Sequence, residues 1–241
     1  MITFERVTMK FGSALALNNV NLHIGAHQSV ALWGSNGAGK TTLIRCLLGL
    51  LAYDGRITVG GLDALRDGKR ARKLIGYVPQ ELGFYDDLRV DEAIRFFARL
   101  KACPAFEVGA TLRSVGLEGH QRKRVRELSG GMKQRLALGI SMIGDPPVLV
   151  LDEVTASLDV GGRLEFLETL NSMAGSGKVL VFASHRLEEV EGLANRVVVL
   201  ERGGVVLDGD VGAFRDWNTQ CAMAVAAGKW YDAAVRRGVC S

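Results

Sequence analysis

Residues 29–48 constrain this chain more than any other stretch. The apolar run Ser29-Val30-Ala31-Leu32-Trp33 feeds Gly34-Ser35-Asn36-Gly37-Ala38-Gly39-Lys40-Thr41-Thr42, which opens the helical run Leu43-Ile44-Arg45-Cys46-Leu47-Leu48. The order is strand, glycine loop, helix. In that context GxxxxGK[ST] reads as a phosphate cradle, because the glycines let backbone N–H groups turn onto phosphate oxygens and the helix start adds positive dipole. Lys40 is spaced to reach the β- and γ-phosphates, Thr41 to offer a hydroxyl to Mg²⁺, and Thr42 to extend the polar lining. Alone, the loop specifies only that a nucleoside triphosphate binds.

The 241 residues carry one set of motifs, which argues for one unit over 1–210 and a tail over 211–241, rich in alanine and expected to be helical. The net charge of +4 is too small to name a nucleic-acid or lipid partner. Apolar runs such as Val148–Leu151 and Val197–Leu200 fall far short of the roughly 20 residues that span a bilayer. The N-terminal MITFERVTMKF lacks a long apolar core, so a secretory signal is not expected and a cytoplasmic location is. Cys46, Cys103, Cys221 and Cys240 have no CxxC spacing, which fits reduced thiols.

Ile2–Lys10 and Ala16–Ile24 alternate as two strands of an antiparallel β-layer, with Phe11 in the turn between them. Phe11 is positioned either to stack on a purine or to cap that layer. Gly55–Val59 reads as a short strand, Lys69–Lys73 as a solvated helix face, and Leu74–Val78 as a strand stopped by Pro79. Gln80 is left at the strand's C-terminal edge, where ligands bind in α/β sheets.

From about 81 to 144 strand signals give way to helical periodicity (Ala93, Ile94, Phe97, Leu100, then Val108, Leu112, Val115), which predicts a helical insertion. Its basic run Gln121–Arg126 lacks interleaved aromatics and is read as a solvated helix face, with no nucleic acid expected. Ser129 is read as the N-cap of the next helix, and with Gly130 and Gly131 it offers a second anion-binding end or a plain capped start.

Val148–Leu151 has the continuous apolar character of a central parallel strand and delivers Asp152 and Glu153 to its end. Asp152 suits Mg²⁺ and Glu153 suits polarisation of an attacking water. Val179–Ala183 repeats the pattern and ends in Ser184-His185, where a neutral imidazole can meet a phosphate or hold Glu153 and water in line. Ser157-Leu158-Asp159 is a polar turn, and Val197–Leu207 a hairpin about Gly203-Gly204.

Taken together, the motifs resemble those of the nucleotide-binding subunit of ATP-binding cassette (ABC) transporters over residues 2–210. GSNGAGKTT resembles the Walker A loop, Gln80 the Q-loop, LSGGM at 128–132 the signature, VLVLDE at 148–153 Walker B, SLD at 157–159 the D-loop and His185 the switch histidine. The fold this implies is an α/β P-loop NTPase with a mainly parallel central sheet, an N-terminal antiparallel β-subdomain and a helical insertion. The resemblance assigns catalysis to Glu153, His185, Gln80 and Lys40, and Mg²⁺ to Thr41, Gln80 and Asp152. It assigns ATP to Phe11, to the loop from Gly34 through Ser35, Asn36, Gly37, Ala38, Gly39, Lys40, Thr41 and Thr42, and to Ser129, Gly130 and Gly131 presented in trans by a second cassette, expected to be an identical copy.

A separate integral-membrane permease is the other implied partner, with this subunit peripheral on the cytoplasmic face. The 83–100 segment resembles cassettes that serve ABC-2-type exporters, those of nitrous oxide reductase maturation (copper-processing) systems among them. Two alternatives stand beside this: a soluble ABC ATPase acting in assembly or repair, and a non-hydrolysing regulatory module, which Glu153 and His185 disfavour. Met132 and Val154 depart from the family's usual Gln and Pro, and Phe11 from its Tyr; none of these removes a phosphate or metal ligand.

Overall fold

The computed structural model describes residues 1–103, 106–156, 158–174 and 177–226. Ser157 of the predicted turn, and Trp230, Tyr231 and Cys240 of the tail, lie outside them.

The chain starts with β1 (Ile2–Phe11), β2 (Ala14–Ile24), β3 (Ser29–Trp33), α1 (Lys40–Leu47), β4 (Asp54–Val59), β5 (Leu62–Asp63), α2 (Gly68–Lys73) and β6 (Ile75–Val78). The helices α3 (Val90–Leu100) and α4 (Val108–Ser114), a 3₁₀ turn at Val125–Glu127 and α5 (Gly130–Ser141) come next. Then follow β7 (Val148–Asp152), α6 (Val160–Ala174), β8 (Val179–Ser184), α7 (Leu187–Leu193), β9 (Arg196–Glu201), β10 (Gly204–Gly209) and α8 (Val211–Ala226).

Two sheets result. The smaller is antiparallel in the order β2-β1-β4-β5; the larger runs β10-β9-β3-β8-β7-β6 and is parallel except for β10. The expected antiparallel layer and mainly parallel sheet are both present. The strands of the larger sheet are apolar throughout because both faces are covered. Leu149 and Leu151 of β7, with Leu180 and Phe182 of β8, pack into a core shared with α5 and α6, while Val148, Val150, Val179 and Val181 pack into a second core with α1 and the small sheet. Alternate residues of each strand thus serve different cores, and α1 lies between the sheets.

Several expectations need adjustment. Phe11 is not in the turn but is the last residue of β1, opposite Ala14. Gln121–Arg126 is not a helix face: it runs through turns into the 3₁₀ segment, and Arg124 and Arg126 both pair with Asp87. Two of its four cations thus face a local, exposed carboxylate. The segment after β6 is helical as expected, but α5 returns to the sheet and packs on β6, where a Cβ at Gly76 would sit 2.7 Å from the Ser141 carbonyl oxygen. The tail is helical through Ala226, and its Phe214 meets Trp33 edge-on with ring centroids 5.0 Å apart.

Candidate functional site

Strands β3, β6, β7 and β8 run in parallel, so the loops leaving their C-terminal ends converge on one edge. The loop from β3 to α1 lies there and lines a cleft of about 300 Å³ with Asn36, Gly37, Gly39, Lys40, Thr41, Thr42, Gln80, Glu153 and Ala16. Sequence had chosen all of these except Ala16.

The loop's shape is enforced from outside. Gly39 has φ of 108°, and a Cβ there would lie 2.8 Å from the Ala16 carbonyl oxygen of β2. A side chain would meet both backbone strain and a clash. On the same carbonyl sits Gly203, from the β9–β10 turn, with φ of 79° and a would-be Cβ contact of 2.5 Å. The Gly203 amide donates to the Ala38 carbonyl at 3.0 Å, and its own carbonyl accepts from the Asn18 amide at 2.9 Å. Gly203 therefore ties the small sheet to the loop. From sequence it was only a hairpin glycine.

Lys40 is buried, 4% exposed, at the first position of α1. Its Nζ donates to the carbonyls of Gly34 (2.7 Å) and Ser35 (3.1 Å) and lies 3.2 Å from Glu153 Oε1. The other oxygen of Glu153 is 3.7 Å from His185 Nδ1. One carboxylate thus stands between the loop lysine and the histidine of the neighbouring strand. The register explains this: Asp152 pairs with Ala183, so the residues that follow each strand emerge side by side.

Glu153 is a non-glycine residue at φ of 48°, held by its amide donating to the Ala183 carbonyl at 3.2 Å and by its carbonyl accepting from Ala156 at 3.1 Å. Left-handed backbone at a carboxylate residue costs on the order of 1–3 kcal/mol, which the buried strands must offset. What it achieves is to turn the side chain back over the loop.

Asp152 is buried, and Thr41 Oγ1 donates to its Oδ1 at 3.1 Å. Burial holds its carboxyl above the ordinary range, only partly offset by the Thr41 hydrogen bond. A hydroxyl and a carboxylate in contact, with Gln80 lining the same cleft as Thr41, are hard oxygen donors of the kind that fits Mg²⁺. Among the described residues no group of three His, Cys, Asp or Glu could hold a metal.

The other predicted residues lie apart. Ser129 is the N-cap of α5, its hydroxyl accepting from the Met132 amide at 3.3 Å. Neither Ser129, Gly130 and Gly131 nor Phe11, 52% exposed at the end of β1, lines the cleft. A Cβ on Gly130 would meet nothing within 4 Å. Nothing in this chain explains the need for a glycine there.

Among known proteins, the family model described as ABC transporter matches residues 17–156. The Nod factor export ATP-binding protein I of Paraburkholderia xenovorans is 36% identical over 213 residues, covering 86% of this chain and 70% of that protein. The linearmycin resistance ATP-binding protein LnrL of Bacillus subtilis is 31% identical over 214 residues, 87% of this chain and 69% of that protein. Among solved structures, cbiO1 from Clostridium perfringens, part of the ABC transporter complex cbiONQ, superposes with a TM-score of 0.80 at 28% identity, covering 92% of this chain and 93% of that one. With a phosphate loop, a buried aspartate and a poised glutamate on one sheet edge, this chain belongs to the ABC transporter family and is an ABC ATPase.

Proposed function

We propose that this chain hydrolyses ATP to drive a separate integral-membrane subunit that exports its cargo. The observation that carries the hydrolytic part is the single carboxylate of Glu153, 3.2 Å from Lys40 and 3.7 Å from His185 at the edge of the cleft. The loop amides and Lys40 hold the β- and γ-phosphates. Thr41, Asp152 and Gln80 would hold Mg²⁺, which would neutralise charge on those phosphates. Glu153 takes a proton from the attacking water as its oxygen bonds to the γ-phosphorus and the bond to the β–γ bridging oxygen breaks. His185 keeps the Glu153 carboxylate turned toward that water.

Closure of the site needs a second copy, whose Ser129, Gly130 and Gly131 cover the γ-phosphate. The open surroundings of Gly130 support this, since the glycine admits an approach from outside the chain. Export is supported by the names of the two relatives, a Nod factor exporter subunit and a linearmycin resistance protein. Among the described residues no helix is long and apolar enough to cross a membrane, which supports a peripheral subunit that borrows its membrane path from a partner.

Glu153→Gln is expected to keep ATP affinity, lower turnover by about 10²- to 10⁴-fold and accumulate an ATP-bound dimer in light scattering. Unchanged turnover would refute Glu153 as the base. Purification of the tagged full chain from detergent extracts is expected to bring down an integral-membrane partner; recovery with soluble partners alone would sink the export reading.

A further inference from the structure

Behind the cleft lies a buried acidic side chain to which the hydrolytic mechanism gives no part. Glu189 of α7 is 4% exposed. Its Oε1 accepts from the hydroxyl of Thr155 at 2.5 Å and its Oε2 from the hydroxyl of Ser184 at 2.7 Å. Both partners are themselves buried, at 5% and 2% exposed. The Arg186 guanidinium comes within 3.8 Å of the same carboxylate. A carboxylate is brought into an apolar core only at considerable cost unless its oxygens are satisfied, and here each oxygen has a hydroxyl donor.

The choice of those two hydroxyls is what matters. Thr155 belongs to the turn that leaves β7, in which the Ala156 amide closes onto the Glu153 carbonyl and the Leu158 amide onto Thr155. Ser184 ends β8 immediately before His185, and its Oγ also accepts from the Arg186 amide at 3.0 Å, so it crowns the turn that carries the histidine. Glu189 therefore bridges two strand exits. One presents Glu153 in a left-handed conformation, the other presents a half-exposed His185, and their separation is 3.7 Å.

We infer that Glu189 is a positioning residue for ATP hydrolysis: its two oxygens lock the Glu153 turn and the His185 turn to one another and fix the base over the γ-phosphate. The inference rests on the reading of Glu153 as the base. Glu189 touches neither the cleft nor the loop amides, so it acts on the chemical step and leaves nucleotide binding alone.

The test is steady-state ATP hydrolysis by the full chain, together with equilibrium binding of ATP. Glu189→Ala is expected to lower kcat by about 10- to 100-fold with KM and ATP affinity within about twofold, as loss of alignment without loss of binding does. Glu189→Gln retains an acceptor for Thr155 and a polar contact to Ser184, and is expected to recover kcat to within about threefold. Should Glu189→Ala fail to fold, Thr155→Val cuts one arm alone at nearly constant volume and is expected to show the same fall in kcat, with Thr155→Ser restoring it. In the Glu153→Gln background, Glu189→Ala is expected to cost less than about twofold more, because coupled residues are not additive. If Glu153→Gln abolishes turnover while Glu189→Ala and Thr155→Val keep it, the clamp is wrong and the base stands. If losses appear equally in KM and ATP affinity, Glu189 is a general stability residue and the inference falls. If Glu153→Gln itself keeps turnover, the failure belongs to the base assignment.

Discussion

The glycine-bearing helix starts of α1 and α5 are built in opposite ways. At α1 the loop is wedged: Lys40 is buried, Gly39 sits against the Ala16 carbonyl, and Gly203 ties the loop's Ala38 to Asn18 of the small sheet. At α5 the start is bare, for Ser129 and Gly130 are exposed and a Cβ on Gly130 would touch nothing. Both starts offer free amides and positive dipole to an anion. The difference lies in who requires the glycine. At α1 it is required by this chain, so the site exists before any ligand arrives. At α5 the chain makes no such demand, and the pressure for small residues comes from what approaches it.

Substitution at each start separates the two cases. Gly39→Ala forces a Cβ into left-handed backbone and onto a carbonyl, which is expected to destabilise the fold by about 2–4 kcal/mol and lower Tm by roughly 5–15 °C, with ATP binding lost in parallel. Differential scanning calorimetry measures it; an unshifted Tm would show that the loop is not wedged. Ser129→Arg removes the α5 N-cap and is expected to lower Tm by only a few °C, to leave ATP affinity at α1 unchanged and to lower turnover by about 100-fold, as removal of one transition-state donor does. Gly130→Ala, milder, is expected to keep Tm or raise it slightly, since alanine favours the helix by up to about 1 kcal/mol, and still to slow turnover. ATP affinity falling together with turnover in Ser129→Arg would place both starts in one chain's site and end the comparison.

The same contrast explains what the sequence disclosed. Strands β3, β7 and β8 were legible because a parallel strand covered on both faces needs an unbroken apolar run, and such runs end where the chemistry begins, at Gly34, Asp152 and Ser184. Strand β5, two residues long, leaves no period to detect. Gln121–Arg126 is solvated as read but is not an α-helix: a run of cations reports exposure and carries no period that separates a helix from turns. Ala16 and Gly203 escaped because they act through backbone atoms and through the absence of a side chain. Glu189 escaped for a different reason: in LEEVEGL it is one of three acids around a short helix, and only burial distinguishes it from Glu188 and Glu191. Local pattern reports what a segment packs against, and it is silent on which distant segment arrives there.

Phe11 tests the smallest effect. It ends β1 at the open tip of the hairpin, opposite Ala14, while Ala16 on the returning strand reaches the cleft. A ring half exposed at that tip contributes little to the β-layer, because truncation uncovers little that is not already in water. A stacking role predicts the reverse balance. Phe11→Ala is expected to weaken ATP by about 2- to 10-fold, the worth of one aromatic contact, and to leave Tm within about 2 °C. Phe11→Tyr, which keeps the ring, is expected to match the parent in affinity. Because every base offers a π-face, GTP should lose affinity to the same extent as ATP in Phe11→Ala. Isothermal titration with both nucleotides, beside scanning calorimetry of the variant, decides it: a fall in Tm with affinity unchanged would return Phe11 to the role of a cap on the small sheet, and the α1 site would then bind its nucleotide through phosphates alone.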